Sequence, residues 1–236
     1  MRVQAIWGIL IEGQSFVGKS TVVSELKRQF GALGRGVRHG HCFLVVDELN
    51  KQIHDRAFSG LPELRDDAAA EWDGFEHFNS YKSANLILDS YMAEHDSELQ
   101  NGSGVHARIV VQDRHWLSQF SYNRLFTPER DLLSDRWIAD CSPRFALQVY
   151  LTCTRTTRVE RAATVIAQPR TPLHGFLARN IAIIERLDEI CLTQVTEDAE
   201  WMIINTDHMS PSAIASRIVS EFNSRTSFEA QSGTEI

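Results

Sequence analysis

The sequence predicts a doubly wound α/β sandwich, in which helices cover both faces of a five-stranded parallel sheet. Two observations support this prediction: a series of short apolar runs, and helical patterns between them. The runs are continuous rather than alternating, which is typical of strands buried on both faces of a parallel sheet. Because helical segments separate them, the chain is predicted to form successive β–α–β units. The runs are Ala5–Ile11, Val37–Val46, Ala107–Val111, Phe145–Leu151 and Trp201–Ile204.

The predicted helices carry apolar residues at spacings of three and four, which place these residues on one face. The last helix begins at Ser210-Pro211, an N-cap followed by proline in the first turn, and is predicted to end near Asn223. We therefore assign residues 1–223 to a single domain. Residues 224–236 are polar and without a period, so we expect a flexible tail there.

Composition excludes several classes of protein. The chain has 236 residues, 43% of them hydrophobic and 23% charged, which suits one globular domain. Its net charge of -7 disfavours capture of a nucleic-acid polymer, which requires a basic surface. The first apolar run is too short to span a membrane, and the four cysteines lack C-x-x-C spacing. We expect a cytoplasmic protein, monomeric or homodimeric, whose partner is a small molecule.

A glycine-rich loop follows the first predicted strand and leads into the first predicted helix. Residues 13–20 read G-Q-S-F-V-G-K-S and match G-x-x-x-x-G-K-[ST]. In this context, backbone N–H groups and the helix N-terminus can bind phosphate oxygens. Lys19 would bridge the β- and γ-phosphates of ATP, and the Ser20 hydroxyl would ligate Mg²⁺. The predicted ATP-binding residues are Gly13, Gln14, Ser15, Phe16, Val17, Gly18, Lys19, Ser20 and Thr21.

The loop by itself leaves kinases, GTPases and ATP-driven machines open. A GTPase is expected to carry an N-K-x-D motif that reads guanine, but Asn50-Lys51-Gln52-Ile53 lacks the aspartate. Asp113 ends the third predicted strand, and ligands of doubly wound sheets bind at the carboxyl edge. Asp113 is therefore the second predicted Mg²⁺ ligand, directly or through water. The alternative role for this residue is an ordinary helix cap.

A family resemblance is carried by Asp113–Asn123, which read D-R-H-W-L-S-Q-F-S-Y-N and resemble the thymidylate kinase signature D-R-Y-x-x-S-x-x-A-Y-Q. Ile11-Glu12-Gly13 and Gly18–Thr21 are likewise similar to the first motif of thymidylate kinases and of the related deoxynucleoside kinases. Val149–Leu151 and Val159–Arg161 look like the strand and helix before the family's lid, so the resemblance covers most of the chain. It implies the P-loop fold of nucleoside monophosphate kinases.

The resemblance also implies an acceptor site. The arginine of the family's D-R pair contacts the phosphate or sugar end of the acceptor, and this role falls to Arg114, whose planar guanidinium can bind two phosphate oxygens. Tyr122 matches the signature and joins this site. The predicted helix Phe75–Met92 resembles the family's F-A-A-D-R segment only at Phe78 and Lys82, and Lys82 then stands where the family has a base-contacting arginine.

That helix is predicted to turn a polar face towards the acceptor, and a solvated helix face explains the same pattern equally well. The predicted polar face comprises Phe78, Lys82, Asn85 and Asp89, with Ala84, Leu88 and Tyr91 packed behind it.

Arginines are frequent after the fourth predicted strand. We interpret the stretch 155–172 as a lid, because a mobile loop that carries arginines can close over phosphates and exclude water. Its predicted catalytic residues are Arg161 and Arg170, which act with Lys19, Asp113 and Arg114.

Two acids, Asp47 and Glu48, follow the second predicted strand, close to where deoxynucleoside kinases carry the carboxylate that takes the acceptor's proton. Both are predicted acceptor-site residues, and the sequence favours neither as the base. A nucleotide acceptor is already an oxyanion and needs none. The same region departs from thymidylate kinases, because Phe43–Asn50 replaces their T-R-E-P-G motif. The identity of the acceptor therefore stays open.

Together these features predict a phosphotransferase that uses ATP and Mg²⁺. A nucleoside monophosphate or a nucleoside is the favoured acceptor, and a non-nucleoside metabolite or natural product is the first alternative. The second alternative belongs to another class: a protein that binds ATP as a regulatory ligand and transfers nothing. The arginine-bearing lid argues against it.

Overall fold

The computed structural model describes residues 5–45, 73–96, 99, 108–130, 132–166 and 172–232. Within these ranges, five parallel strands form one sheet in the order β2-β3-β1-β4-β5. The predicted fold class is thereby confirmed. The strands are β1 (Ile6–Glu12), β2 (Val37–His41), β3 (Ile109–Asp113), β4 (Phe145–Thr152) and β5 (Trp201–Asn205).

Helices connect the strands and cover the sheet. None of the described helices is long and apolar enough to cross a membrane. The described α-helices are α1 (Lys19–Ala32), α2 (Asp73–Glu94), α3 (Trp116–Phe126), α4 (Asp135–Cys141), α5 (Arg155–Ile166), α6 (Pro172–Arg179), α7 (Ile181–Thr196) and α8 (Pro211–Ser232).

Two cores form because neighbouring residues of a strand point to opposite faces of the sheet. On one face, Leu10 of β1 lies in the same buried cluster as Leu117 of α3. On the other face, Ile9 shares a cluster with Leu26 of α1 and Ile218 of α8. The sheet is therefore buried on both sides, as the continuous apolar runs indicate.

The second strand is shorter than the predicted run Val37–Val46, and that prediction was wrong. β2 stops just before Cys42, which adopts a left-handed backbone conformation (φ 66°) and turns the chain out of the sheet. After the turn, the backbone N–H groups of Leu44 and Val45 donate to the carboxylate of Asp89 instead of to a neighbouring strand. The carboxyl end of β2 thus lies earlier than the apolar run indicates.

The last helix is longer than predicted. α8 continues beyond Asn223 to Ser232, so the segment interpreted as a tail starts as helix. Arg225 accounts for part of this extension, because its side chain donates to Glu221 one turn earlier and to the backbone carbonyl of Glu200. These polar contacts stabilise a turn that has no apolar periodicity.

Candidate active site

A cavity of about 440 Å³ opens at the carboxyl edge of the sheet, where β1, β2 and β3 end. The glycine-rich loop forms one wall, α2 and α3 form another, and the helices after β4 reach its rim. This is the position and the size expected of a small-molecule site in a doubly wound fold. The predicted site residues on its wall are Ser15, Phe16, Gly18, Lys19, Ser20, Thr21, Lys82, Asp113, Arg114 and Tyr122.

The glycine-rich loop owes its shape to its backbone. Gly13 and Gly18 have φ angles of 139° and 92°, which side chains disfavour. A Cβ atom at Gly13 would lie 2.3 Å from the carbonyl oxygen of Leu151, so no larger residue fits. Val17 is fully buried and anchors the loop to the core. Gly13, Gln14 and Val17 shape the loop from behind and do not line the cavity.

Lys19 lies at the floor of the cavity and is only 7% exposed. Its Nζ donates to the backbone carbonyl of Gln14 at 2.9 Å. Burial, assisted by the nearby charge of Arg114, lowers the pKa of Lys19 from 10.5 to about 7, although Asp113 acts in the opposite direction. An anion bound in the loop would restore the positive charge. Lys19 is therefore suited to bind phosphate.

Three residues other than glycine have positive φ angles in the described part of the chain: Phe16 (68°), Cys42 (66°) and Arg114 (66°). All three line the cavity. Each such conformation costs about 1–3 kcal/mol and persists where the surrounding structure requires it, commonly at functional sites. Their convergence points to this edge of the sheet as the candidate functional site, independently of any motif.

Asp113 provides the best position for a metal ion. Its Oδ2 lies 3.6 Å from Nδ1 of His41 on β2, while its Oδ1 is buried and accepts no hydrogen bond in the described structure. A carboxylate oxygen that lacks a donor suits Mg²⁺, and the Ser20 hydroxyl lines the same cavity. Among the described residues, no group of three or more His, Cys, Asp or Glu side chains could hold a metal. Asp113 and Ser20 could each contribute one oxygen ligand to such an ion.

His41 and Cys42 bring further charge to the end of β2. Burial raises the pKa of the Cys42 thiol, but Lys82 and His41 lower it by more, to about 7. In turn, Cys42 and Asp113 raise the pKa of His41 to about 10. The two side chains thus favour each other's charged forms at the cavity wall.

Arg114 is positioned by a buried carboxylate at the end of β1. Its Nη1 donates to Ser118 Oγ at 3.2 Å, and Ser118 Oγ donates to Glu12 Oε2 at 2.5 Å. The other oxygen of Glu12 accepts the backbone N–H of His115 at 2.8 Å. Glu12 is wholly buried and holds the first turn of α3 against β1. Arg114 of the D-R motif and Glu12, which precedes Gly13, therefore belong to one hydrogen-bonded unit.

A buried amide network joins α2 to α3. Gln119 Nε2 donates to the backbone carbonyl of Asn79 at 3.4 Å, to Asn79 Oδ1 at 3.2 Å and to Asn123 Oδ1 at 2.9 Å. A backbone carbonyl can only accept, so Gln119 must turn its Nε2 towards Asn79. The side-chain oxygen of Asn79 must then face Gln119, because it accepts from the same Nε2. The Nδ2 of Asn79 then stands at the cavity wall as a buried donor that has no hydrogen-bond partner among the described residues.

The segment predicted to be a lid contacts the glycine-rich loop of residues 13–20, the predicted phosphate loop, from outside. Arg161 donates to the backbone carbonyl of Phe16 at 3.3 Å and to the side chain and carbonyl of Thr206 at 2.9 and 3.1 Å. It supports the loop and does not line the cavity. His174 of α6 stacks on the Phe16 ring, with the ring centroids 5.2 Å apart. The helices after β4 are thus attached directly to the phosphate loop.

Several predicted residues cannot be placed at the site. Asp47, Glu48 and Arg170 lie outside the described residues. Phe78 lies on α2, where only its backbone is described.

Sequence reasoning missed other residues that line the cavity. Asn79 and Gln119 lie inside segments that the sequence singled out, and their amide groups next to Phe78 and Ser118 were an available signal. Cys42 gave no such signal, because β2 was predicted to end later. The missed residues are His41, Cys42, Asn79, His115, Ser118, Gln119, Val165, His174 and Leu177.

Comparison with solved structures shows the same fold. The chain is similar to deoxyadenosine kinase from M. mycoides with the products dCMP and a flexible dCDP bound, at a TM-score of 0.59 and 14% identity, over 92% of this chain and 99% of that one. It is also similar to that kinase with bound dCTP, at a TM-score of 0.56 and 13% identity, over the same shares. These likenesses confirm the P-loop kinase fold that the sequence resemblance implies. No protein-family model and no curated protein sequence matches the chain.

Proposed function

We propose that the protein is a kinase that transfers the γ-phosphoryl group of ATP, in the presence of Mg²⁺, to a nucleoside monophosphate or a nucleoside. One observation carries this proposal: Lys19 of the phosphate loop, Asp113 of β3 and Arg114 line the same cavity. The cavity continues past these residues to α2 and α3, which leaves room for a second molecule beside the phosphates. A protein that only sensed ATP would not need that second compartment.

The donor binds with its phosphates in the loop of residues 13–21. Backbone N–H groups and the N-terminus of α1 contact the phosphate oxygens, and Lys19 reaches the β- and γ-phosphates. Ser20 and Asp113 would hold Mg²⁺, which neutralises phosphate charge.

Transfer requires an acceptor oxygen in line with the γ-phosphorus. A bond forms from that oxygen to phosphorus as the bond to the bridging oxygen of ADP breaks. Lys19 and Arg114 stabilise the negative charge on the transferred group, and Arg161 keeps the loop in shape. Arg170 is proposed to join them when the lid closes.

The acceptor's own chemistry decides whether a base is needed. A phosphate acceptor brings an oxyanion, whereas a hydroxyl acceptor would pass its proton to Asp47 or Glu48. Asp47 and Glu48 are therefore proposed as alternative general bases only if the acceptor is a nucleoside.

The acceptor end of the cavity suits a flat heterocycle. Tyr122 supplies an aromatic ring, Lys82 a cation and Asn79 an amide donor, while Gln119 holds that amide in place. Together they can bind a ring that presents a carbonyl oxygen or a ring nitrogen. The solved kinase structures of this fold carry deoxycytidine nucleotides, which supports a nucleoside or nucleotide acceptor here.

The proposal is tested by incubating the purified protein with ATP, Mg²⁺ and a panel of nucleosides and nucleoside monophosphates. ADP is expected to form only when one particular acceptor is present. The matched control is the same reaction without acceptor. Slow ADP formation that no acceptor accelerates would contradict the proposal and favour a nucleotide-binding regulator.

A further inference from the structure

Asp89 lies in the interior of α2 and is wholly buried. Aspartate is a weak helix former, and a buried carboxylate is costly unless it is well hydrogen-bonded. Its Oδ2 accepts the backbone N–H of Leu44 at 2.7 Å, and its Oδ1 accepts that of Val45 at 2.7 Å. Oδ2 also lies 3.2 Å from Nε2 of His115. One side chain thus connects three separate segments.

Each of these segments contributes to the proposed acceptor half of the cavity, which is the part lined by the end of β2, by α2, by the end of β3 and by α3. Cys42 lines the wall just before Leu44, and Arg114 lines it just before His115. Asp89 itself is not on the wall. It is therefore placed to act on the acceptor only through the segments that it holds.

The backbone explains why a carboxylate is needed at this point. The chain leaves the sheet at Cys42, so the N–H groups of Leu44 and Val45 have lost their strand partners. A buried N–H group needs an acceptor, and Asp89 accepts from both at once. Burial would raise the pKa of Asp89, but the hydrogen bonds from His115 and from the two N–H groups keep it below the usual value. The carboxylate therefore holds its partners in the charged form.

We propose that Asp89 is a positioning residue of the acceptor half. Its carboxylate fixes the chain after β2 against the Arg114–His115 loop, and this arrangement presents the acceptor to the phosphate loop. This inference rests on the proposed function. It extends the site to a residue that touches neither substrate.

The test uses Asp89→Asn, which keeps the size of the side chain but turns an amide N–H₂ towards one of the donors. The matched control is Ser90→Ala, which removes another buried polar group from the same helix, one that donates to the carbonyl of Leu86 one turn earlier. Hydrogen exchange is followed at the amides of Leu44 and Val45. We expect about tenfold faster exchange there in Asp89→Asn, with residues 13–21 unchanged. Equal exchange in the wild type and the variant would overturn the proposal.

Kinetics supply the second readout. Asp89→Asn is expected to raise the acceptor KM or lower kcat by about tenfold or more while the KM for ATP stays within about twofold, because only the acceptor half is displaced. An equal loss for both substrates, or the same pattern in Ser90→Ala, would show a general effect on folding and overturn the positioning role. If Asp89→Asn does not fold, Asp89→Glu, which keeps the charge but moves the carboxylate, is expected to show the same split more weakly. If the wild type phosphorylates no acceptor, the proposed function fails, and the exchange measurement still decides whether Asp89 holds the chain after β2.

Discussion

The proposed phosphate half and the proposed acceptor half of the cavity are built in different ways. In the phosphate half, consecutive residues of one loop provide the contacts, and Gly13 and Gly18 set the path of the backbone. In the acceptor half, side chains from β2, α2, β3 and α3 meet, and buried polar groups hold them in place. A local backbone shape tolerates little change, whereas a set of side chains on separate elements can be exchanged one by one. This difference explains how one fold can keep its donor while its acceptor varies.

The largest expected effect tests the phosphate half. Lys19→Met should lower kcat by about 10²–10³-fold, because the β- and γ-phosphates lose their charged partner. Acceptor binding, measured by calorimetry without ATP, should hardly change. Lys27→Met is the matched control, since Lys27 lies exposed on the same helix. A comparable loss of acceptor binding in Lys19→Met would break the division into two halves.

Arg114 lies between the phosphate half and the acceptor half of the cavity. Its replacement should therefore impair use of the acceptor more than binding of ATP. Arg114→Ala is expected to lower kcat/KM for the acceptor by about 30- to 100-fold, and Arg114→Lys should restore only part of it, because an ammonium cannot bind two oxygens in a fixed plane. Arg136→Ala, at a 92% exposed side chain, serves as the control. If the variant loses more affinity for ATP than kcat/KM for the acceptor, Arg114 acts on the donor, and its proposed acceptor role is wrong.

Asn79 tests the acceptor half alone. Asn79→Asp replaces the Nδ2 donor with a charged acceptor and should lower kcat/KM for the preferred acceptor by about 10- to 100-fold, leaving the KM for ATP within about twofold. Asn85→Asp is the matched control, because Asn85 lies on the same helix and donates to the backbone carbonyl of Tyr81. Equal losses in the two variants would remove Asn79 from the acceptor site.

The smallest effect concerns protons. Because the pKa of Lys19 is lowered to about 7, the folded protein binds fewer protons than the unfolded chain between about pH 7 and 10.5. Stability contributed by this group therefore rises with pH across that window. Binding of ATP should return the proton, so calorimetry at pH 8 in buffers of different ionisation enthalpy should show uptake of about one proton. Lys19→Met should abolish that uptake, and unchanged uptake in this variant would assign it to another group.

The sequence locates the phosphate-loop wall of the cavity because its signals are local. The phosphate loop is one continuous motif, and Asp113-Arg114 follow directly from the end of an apolar strand. The acceptor half depends on contacts between distant segments. The turn at Cys42 cannot be read from the apolar run Val37–Val46, since the backbone that follows it binds Asp89, 45 residues after Leu44.

The orientation of α2 was also predicted incorrectly. The sequence predicts that Leu88 and Tyr91 pack behind a polar face, but their side chains are 48% and 61% exposed. The buried face carries polar residues beside Leu86, among them Asn79, Ser83 and Asp89. Hydrogen bonds to α3 and to the chain after β2 hold these polar side chains in place, and a periodicity of apolar residues cannot reveal them.

If both halves of the cavity act in a single transfer, the γ-phosphoryl group of ATP must end on the acceptor. This is measured by supplying ATP labelled at the γ-phosphoryl group together with the preferred acceptor and following the label. We predict that the label appears covalently attached to the acceptor with the wild type and with Lys27→Met, and that Lys19→Met attaches it about 10²–10³-fold more slowly. Label that appears only as inorganic phosphate, whatever acceptor is present, would contradict the account.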